Sequence, residues 1–187
     1  MSNLMDRYRT VPAFGFALVV FCAVEPALAE CTDVPQPGVY WRRCVHDGQD
    51  LQGVDLTGAM LRDGSFKRAD LSDADLSGAD ARRAKFVSAT MRNTDLSDSD
   101  LGRADLTNAD LTEASLRQAD LTMAKLYRAN LRGADLTDAR LDGTDFHLAE
   151  LGGATWVDGT TICSEGSIGQ CHAARAKREL SEVEPSG

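Results

Sequence analysis

The chain has 187 residues, 43% of them hydrophobic and 26% charged, with a formal net charge of -9 and a pI near 4.8. That length is enough for one domain with its own core. The acid excess excludes a general nucleic-acid binder, which carries a basic footprint, and the periodic Leu and Ala content excludes a disordered acidic chain.

Residues 1–29 read as a signal peptide. Arg7 and Arg9 supply the charged start, and Val11–Val24 is an apolar run too short to span a membrane as a mature helix. Ala27 and Ala29 put small residues at the two positions that cleavage requires, so cleavage is expected after Ala29. The mature protein is then periplasmic or secreted, without a membrane anchor. Glu30 before Cys31 does not fit the lipoprotein pattern.

Cys22 leaves with the signal, and Cys31, Cys44, Cys163 and Cys171 remain. An even count behind a signal peptide reads as disulfides. Three connectivities are open. The repeat between the two pairs is a rod of roughly 25 Å or more, at about 4.8 Å per stacked layer, whereas a disulfide needs Cα atoms within about 7 Å. Geometry therefore selects Cys31–Cys44 and Cys163–Cys171, and it excludes a zinc site built from all four.

Residues 30–48 form an expected N-terminal cap. Trp41 and His46 already occupy the central place of a five-residue unit, with Val39 and Cys44 in the place two before. From Gln49 to Asp158 the unit repeats 22 times without a gap. Its central residue is Leu in 16 cases, a small residue stands two before it, and Asp stands just before it in 12. A fixed period outweighs local propensity. An apolar residue every five positions forms no stripe on a helix of 3.6 residues per turn, and it does not match the two-residue alternation of a flat strand. It fits a chain that turns after each short extended segment, with centres and small residues inward and Asp, Ser, Thr, Arg and Gly outward.

The run Ala104-Asp105-Leu106-Thr107-Asn108-Ala109-Asp110-Leu111 resembles the A-(D/N)-L-X-X signature of pentapeptide-repeat proteins. That resemblance implies an all-β fold, a right-handed quadrilateral parallel β-helix with four fives to each coil. Phe66, Phe86 and Phe146 are separated by multiples of 20 and would then share one wall, with Leu106 and Leu126 between them. Residues 159–172 read as a C-terminal disulfide cap, in which Trp156 and Ile162 are expected to cover the last coil. Residues 173–187 are a polar tail. This end resembles those of secreted bacterial members of the family.

Wrapping the repeat in twenties gives four walls, lettered here by their centres: A (Leu101), B (Leu106), C (Leu111) and D (Leu116). Wall D carries Asp55, Asp75, Asp95, Asp98, Asp135, Asp138 and Asp158 against Arg117, a net -6. Wall B, opposite, carries Lys67, Arg68, Lys85, Lys125 and Arg128 against Asp105 and Asp145, a net +3. Wall C sums to -4 and wall A to 0. Wall D is the candidate binding wall, with a field that steers a charged protein partner; the plainer alternative is that outward Asp only keeps a rod soluble. Asp55, Asp75 and Asp95 would form a ladder about 4.8 Å apart, but the glycine-rich nonapeptide of calcium-binding β-rolls is absent.

His46, His147 and His172 lie in the cap, on a wall and in the tail, without a nucleophile and orienting acid at a recognisable spacing. No phosphate loop, HExxH or CxxC motif appears. The expectation is a non-enzymatic protein-binding or structural module with no cofactor, no metal and no direct nucleic-acid contact, whose partner and oligomeric state the sequence does not name. The family resemblance also implies an alternative, an acidic rod that mimics duplex DNA and binds gyrase. The signal peptide, the paired cysteines and the basic wall depart from that pattern.

Overall fold

The computed structural model describes residues 31–173; the expected signal peptide, its cleavage point and the tail beyond residue 173 lie outside them. In the unit 104–108 every backbone N–H has an acceptor. Ala104 donates to the Leu101 carbonyl across a turn (2.9 Å), Asp105 to Ala84 in the preceding coil (2.9 Å), and Leu106 and Asn108 to Lys125 and Tyr127 in the next (2.8 and 2.9 Å). The remaining amide, of Thr107, donates to Asp105 Oδ1 at 3.1 Å.

The turn needs a left-handed residue two after each centre. From Arg43 to Gly153 all 23 such residues have positive φ, 16 of them not glycine. Only that residue of each turn is left-handed, and a bond such as Ala104 N–H to the Leu101 carbonyl closes the turn, which is the type II pattern. A non-glycine residue there costs roughly 1–2 kcal/mol, and completing the amide pairing of the coil offsets it.

Twenty parallel bridges join residue i to residue i+20, from Tyr40↔Met60 to Asp135↔Thr155. Four fives therefore make one coil, and the coils stack in register with four walls. Each contact between coils is a single-residue bridge: with a turn in every five residues, no side is long enough for an extended strand. The register begins at Tyr40, so the N-terminal cap is itself a coil.

The centres and the small residues fill the interior. Leu106 and Ala104 have no exposed surface. Where a hydroxyl replaces Ala it is satisfied inside, Thr94 on the Leu71 carbonyl (2.8 Å) and Ser99 on the Leu96 carbonyl (2.7 Å). Phe66 and Phe86 stack as expected, and buried His46 and Trp41 extend the stack toward the N-terminus. Phe146 shares the wall of Phe66 and Phe86, with Leu106 and Leu126 between, as expected. It lies three coils beyond Phe86 and packs against Trp156, with ring centroids 5.8 Å apart.

Both disulfides pair as the geometry requires, Cys31 with Cys44 and Cys163 with Cys171, at Cα separations of 5.3 and 5.0 Å. One expectation for the C-terminal cap needs correction. Ile162 is 44% exposed and does not cover the last coil. The cover is a backbone one: antiparallel bridges Thr155↔Ile162 and Glu150↔Ile168 shield walls C and D, and they turn both isoleucines outward. Leu141 and Phe146, on walls A and B of the same coil, stay only partly buried.

Candidate functional site

The acidity of the chain has a local cause. Each of the 12 Asp residues just before a centre accepts a hydrogen bond from the backbone N–H two residues on, at 2.8–3.4 Å. Asn130 does the same for Arg132. This is the Asx pattern, and it serves the one amide of each unit that no carbonyl reaches. Asp recurs because the turn needs an acceptor, and the net charge follows.

On wall D, Asp55, Asp75, Asp95 and Asp135 all make this bond, to Thr57, Ser77, Ser97 and Thr137. Asp55, Asp75 and Asp95 are bridge residues in three consecutive coils, so the ladder forms. The Ser77 hydroxyl and amide hold the Asp75 carboxyl below its ordinary value. Burial pushes Asp135 up, but Thr137 and the Arg117 guanidinium (2.8 Å) outweigh it and hold it low. Asp98 and Asp138 are turn residues with positive φ and exposed side chains. Asp158 follows the last centre; the hydroxyl and amide of Thr161 and the amide of Thr160 bring its pKa down to about 2. Hydrogen-bond donors thus hold Asp75, Asp135 and Asp158 in the ionised form, and most carboxylates of wall D have a structural task.

Wall B differs. Among the described residues, Arg62, Arg82, Arg83, Arg92, Arg117, Arg132 and Arg140 form ion pairs, and all seven lie on walls A, C and D. Lys67, Arg68, Lys85, Lys125 and Arg128, the basic set of wall B, form none. The cap coil adds one carboxylate that the repeat count left out, Asp47, which accepts from the Ser65 hydroxyl (2.6 Å) and the Lys67 amide (2.9 Å). Wall B also carries an outward ring pair, Tyr127 and His147, stacked at 5.7 Å with Arg128 over the Tyr127 ring. Sequence reasoning missed this pair, although the spacing of 20 between the two residues was the signal that could have found it.

The three histidines are far from one another in the coil order. His46 is buried in the cap between Trp41 and Phe66; its Nδ1–H donates to Gln49 Oε1 at 3.0 Å, and Nε2 has no partner. Burial holds its pKa below the ordinary value, against the opposing bond to Gln49. His147 is exposed on wall B, and His172 is an exposed residue whose amide donates to the Ser167 hydroxyl. Among the described residues no three His, Cys, Asp or Glu side chains are placed to hold a metal ion, and no helix is long and apolar enough to cross a membrane.

Comparison with known proteins agrees with this geometry. The family model for pentapeptide repeats matches in 8 copies, over residues 50–86, 84–122 and 124–155. No curated protein matches the chain. Among solved structures the chain is similar to HetL, a pentapeptide repeat protein involved in heterocyst differentiation regulation from Nostoc sp. strain PCC 7120: 28% identity, 65% of this chain and 67% of that one, TM-score 0.45. It is similar to a pentapeptide repeat protein of the Arabidopsis thaliana thylakoid lumen, with 28% identity, 67% of this chain and 86% of that one, TM-score 0.42. It is also similar to QnrB1, a plasmid-mediated fluoroquinolone resistance protein, with 21% identity, 63% of this chain and 69% of that one, TM-score 0.41. With its eight matched copies and its unbroken stack of five-residue turns, the chain belongs to the pentapeptide-repeat family.

Proposed function

We propose that this chain is a right-handed four-walled rod that works by contact rather than catalysis, outside the cytoplasm, as a protein-binding or structural module acting through its charged walls. The observation that carries the reading is that none of the cations of wall B forms an ion pair, whereas seven arginines on the other walls do. Turn chemistry accounts for the 12 Asp residues before the centres and ion pairs account for those seven arginines, while the five cations of wall B form no ion pair. An excess of positive charge on one flat face steers a partner of opposite sign. The two disulfides support the extracytoplasmic placement, since such bonds persist in oxidising compartments.

The location is tested by intact mass of the protein fractionated from its native host. The expected result is a start at Glu30 with no free thiol; a reduced, full-length cytoplasmic protein would overturn it. The contact reading is tested by reversing Lys67, Arg68, Lys85, Lys125 and Arg128 to Glu and repeating a crosslinked pull-down, which is expected to lose the partner.

A second reading rests on wall D, whose net charge of -6 lies on one face. There the rod mimics duplex DNA and binds gyrase. Purified protein added to a gyrase supercoiling assay decides it: no effect on supercoiling or on quinolone inhibition dismisses the reading.

A further inference from the structure

Resting on the contact reading, we infer that the straight groove at the corner of walls A and B binds a short acidic peptide segment of the partner protein. Arg83, Lys85, Arg103 and Lys125 line this shallow groove of about 500 Å³, together with Asp105 and Met123. Of its four cations only Arg83 is paired, with Asp63 at 2.7 Å. Lys85, Asp105 and Lys125 are in bridge register in three consecutive coils, yet neither lysine forms an ion pair with Asp105, whose Oδ1 accepts from the Thr107 amide. Four cations against one carboxylate leave the groove with a net positive charge.

The spacing fits an extended chain. Coils repeat at about 4.8 Å, which puts Arg103 one layer beyond Arg83 and Lys125 two layers, roughly 10 Å, beyond Lys85. Carboxylates on one face of an extended peptide recur about every 6.6–6.8 Å, so two or three of them cover the same span. The amides of Lys85 and Lys125 are already bonded to Gly64 and Ala104 in the neighbouring coils, so the peptide is read by side chains and not by adding a strand. Met123, 53% exposed, offers an apolar contact to the stems of acidic side chains. The groove is also bounded: Asp63 lies in the coil before Arg83 and Asp145 in the coil after Lys125. A long, uniformly charged polymer would run past both carboxylates, whereas a short acidic segment stays between them.

The test is fluorescence anisotropy with a labelled peptide of alternating Glu and Ser. A Gln-for-Glu peptide and a thymidine oligonucleotide of equal length serve as controls. Binding of the Glu peptide is expected to weaken at least about fivefold between roughly 50 and 200 mM salt, as screening shortens the reach of the groove's field. The K85E/R103E/K125E variant, with its fold checked by circular dichroism, is expected to weaken it at least about tenfold, and K67E/R68E/R128E, on the same wall but outside the groove, less than about twofold. Equal binding by the groove variant, no binding at low salt, or tighter binding of the oligonucleotide would overturn the proposal. If the groove variant binds normally while reversal of all of wall B still abolishes partner capture, the contact reading stands without the groove; if neither matters, both fall.

Discussion

Phe66 and Phe86 lie 20 residues apart in sequence and stack face to face, with ring centroids 5.2 Å apart and planes 16° from parallel. That spacing is one coil, and the stack needs room beside it. Gly64 makes the room: a Cβ there would sit 2.8 Å from the Leu61 carbonyl oxygen and 2.9 Å from Phe66 Cε2. Gly64→Ala, though it restores the commonest residue of that place, is expected to destabilise by about 1–3 kcal/mol through overpacking. A denaturant midpoint equal to wild type would contradict the packing.

Within one unit, three substitutions separate the roles. Leu106→Ala is expected to cost about 2–5 kcal/mol, the price of a cavity at a fully buried centre. Asp105→Asn keeps an acceptor for the Thr107 amide and is expected to be nearly silent, while Asp105→Ala removes it and costs roughly 0.5–1.5 kcal/mol. Urea melts of the three variants check the order; a silent Asp105→Ala would remove the turn as the reason for Asp.

His46 gives the cap a pH dependence with a definite sign. Burial favours the neutral imidazole and lowers the folded pKa below the 6.5 of a free histidine side chain. The unfolded state then binds more protons as pH falls, so stability is complete above about pH 6.5 and is lost as pH drops through the folded value. Wild type is expected to melt lower at pH 5 than at pH 7.5. His46→Phe, which keeps a ring between Trp41 and Phe66, is expected to shrink that difference. The carboxyls held low by turn bonds act only below this window.

The C-terminal cap is held by backbone bonds from the last coil: Leu151 to Ser167, Gly153 to Cys163 and Trp156 to Thr161. Opening the Cys163–Cys171 link is expected to cost about 2–4 kcal/mol. In a C163S/C171S variant the amides of Leu151, Gly153 and Trp156 are expected to lose hydrogen-exchange protection before those of Leu106 and Leu111. Unchanged protection would show that the disulfide does not anchor the cover.

The period of five, the inward rows and both disulfide pairs were legible because each is written in residue type or in distance along the chain. Four fives to a coil came from the family resemblance, and Phe66 and Phe86 then bear it out. What the sequence hid was the use of each charge. Asp55 and Asp105 look alike as outward carboxylates, and only the amide bonds show that both are turn acceptors. Lys85 and Arg82 look alike as outward cations, but only Arg82 reaches a carboxylate, those of Asp80 and Asp100. Gly64 reads as another small residue, and its need to be glycine comes from the ring of Phe66. Ile162 reads as a core residue, and the antiparallel bridge turns it out.

The most direct measurement compares partner capture by three proteins under identical crosslinking in native-host extract: wild type, the wall B reversal of Lys67, Arg68, Lys85, Lys125 and Arg128, and the wall D reversal of Asp75, Asp95 and Asp135. Contact through wall B predicts a partner retained by wild type and by the wall D variant and lost by the wall B variant. The same proteins captured by all three would contradict it.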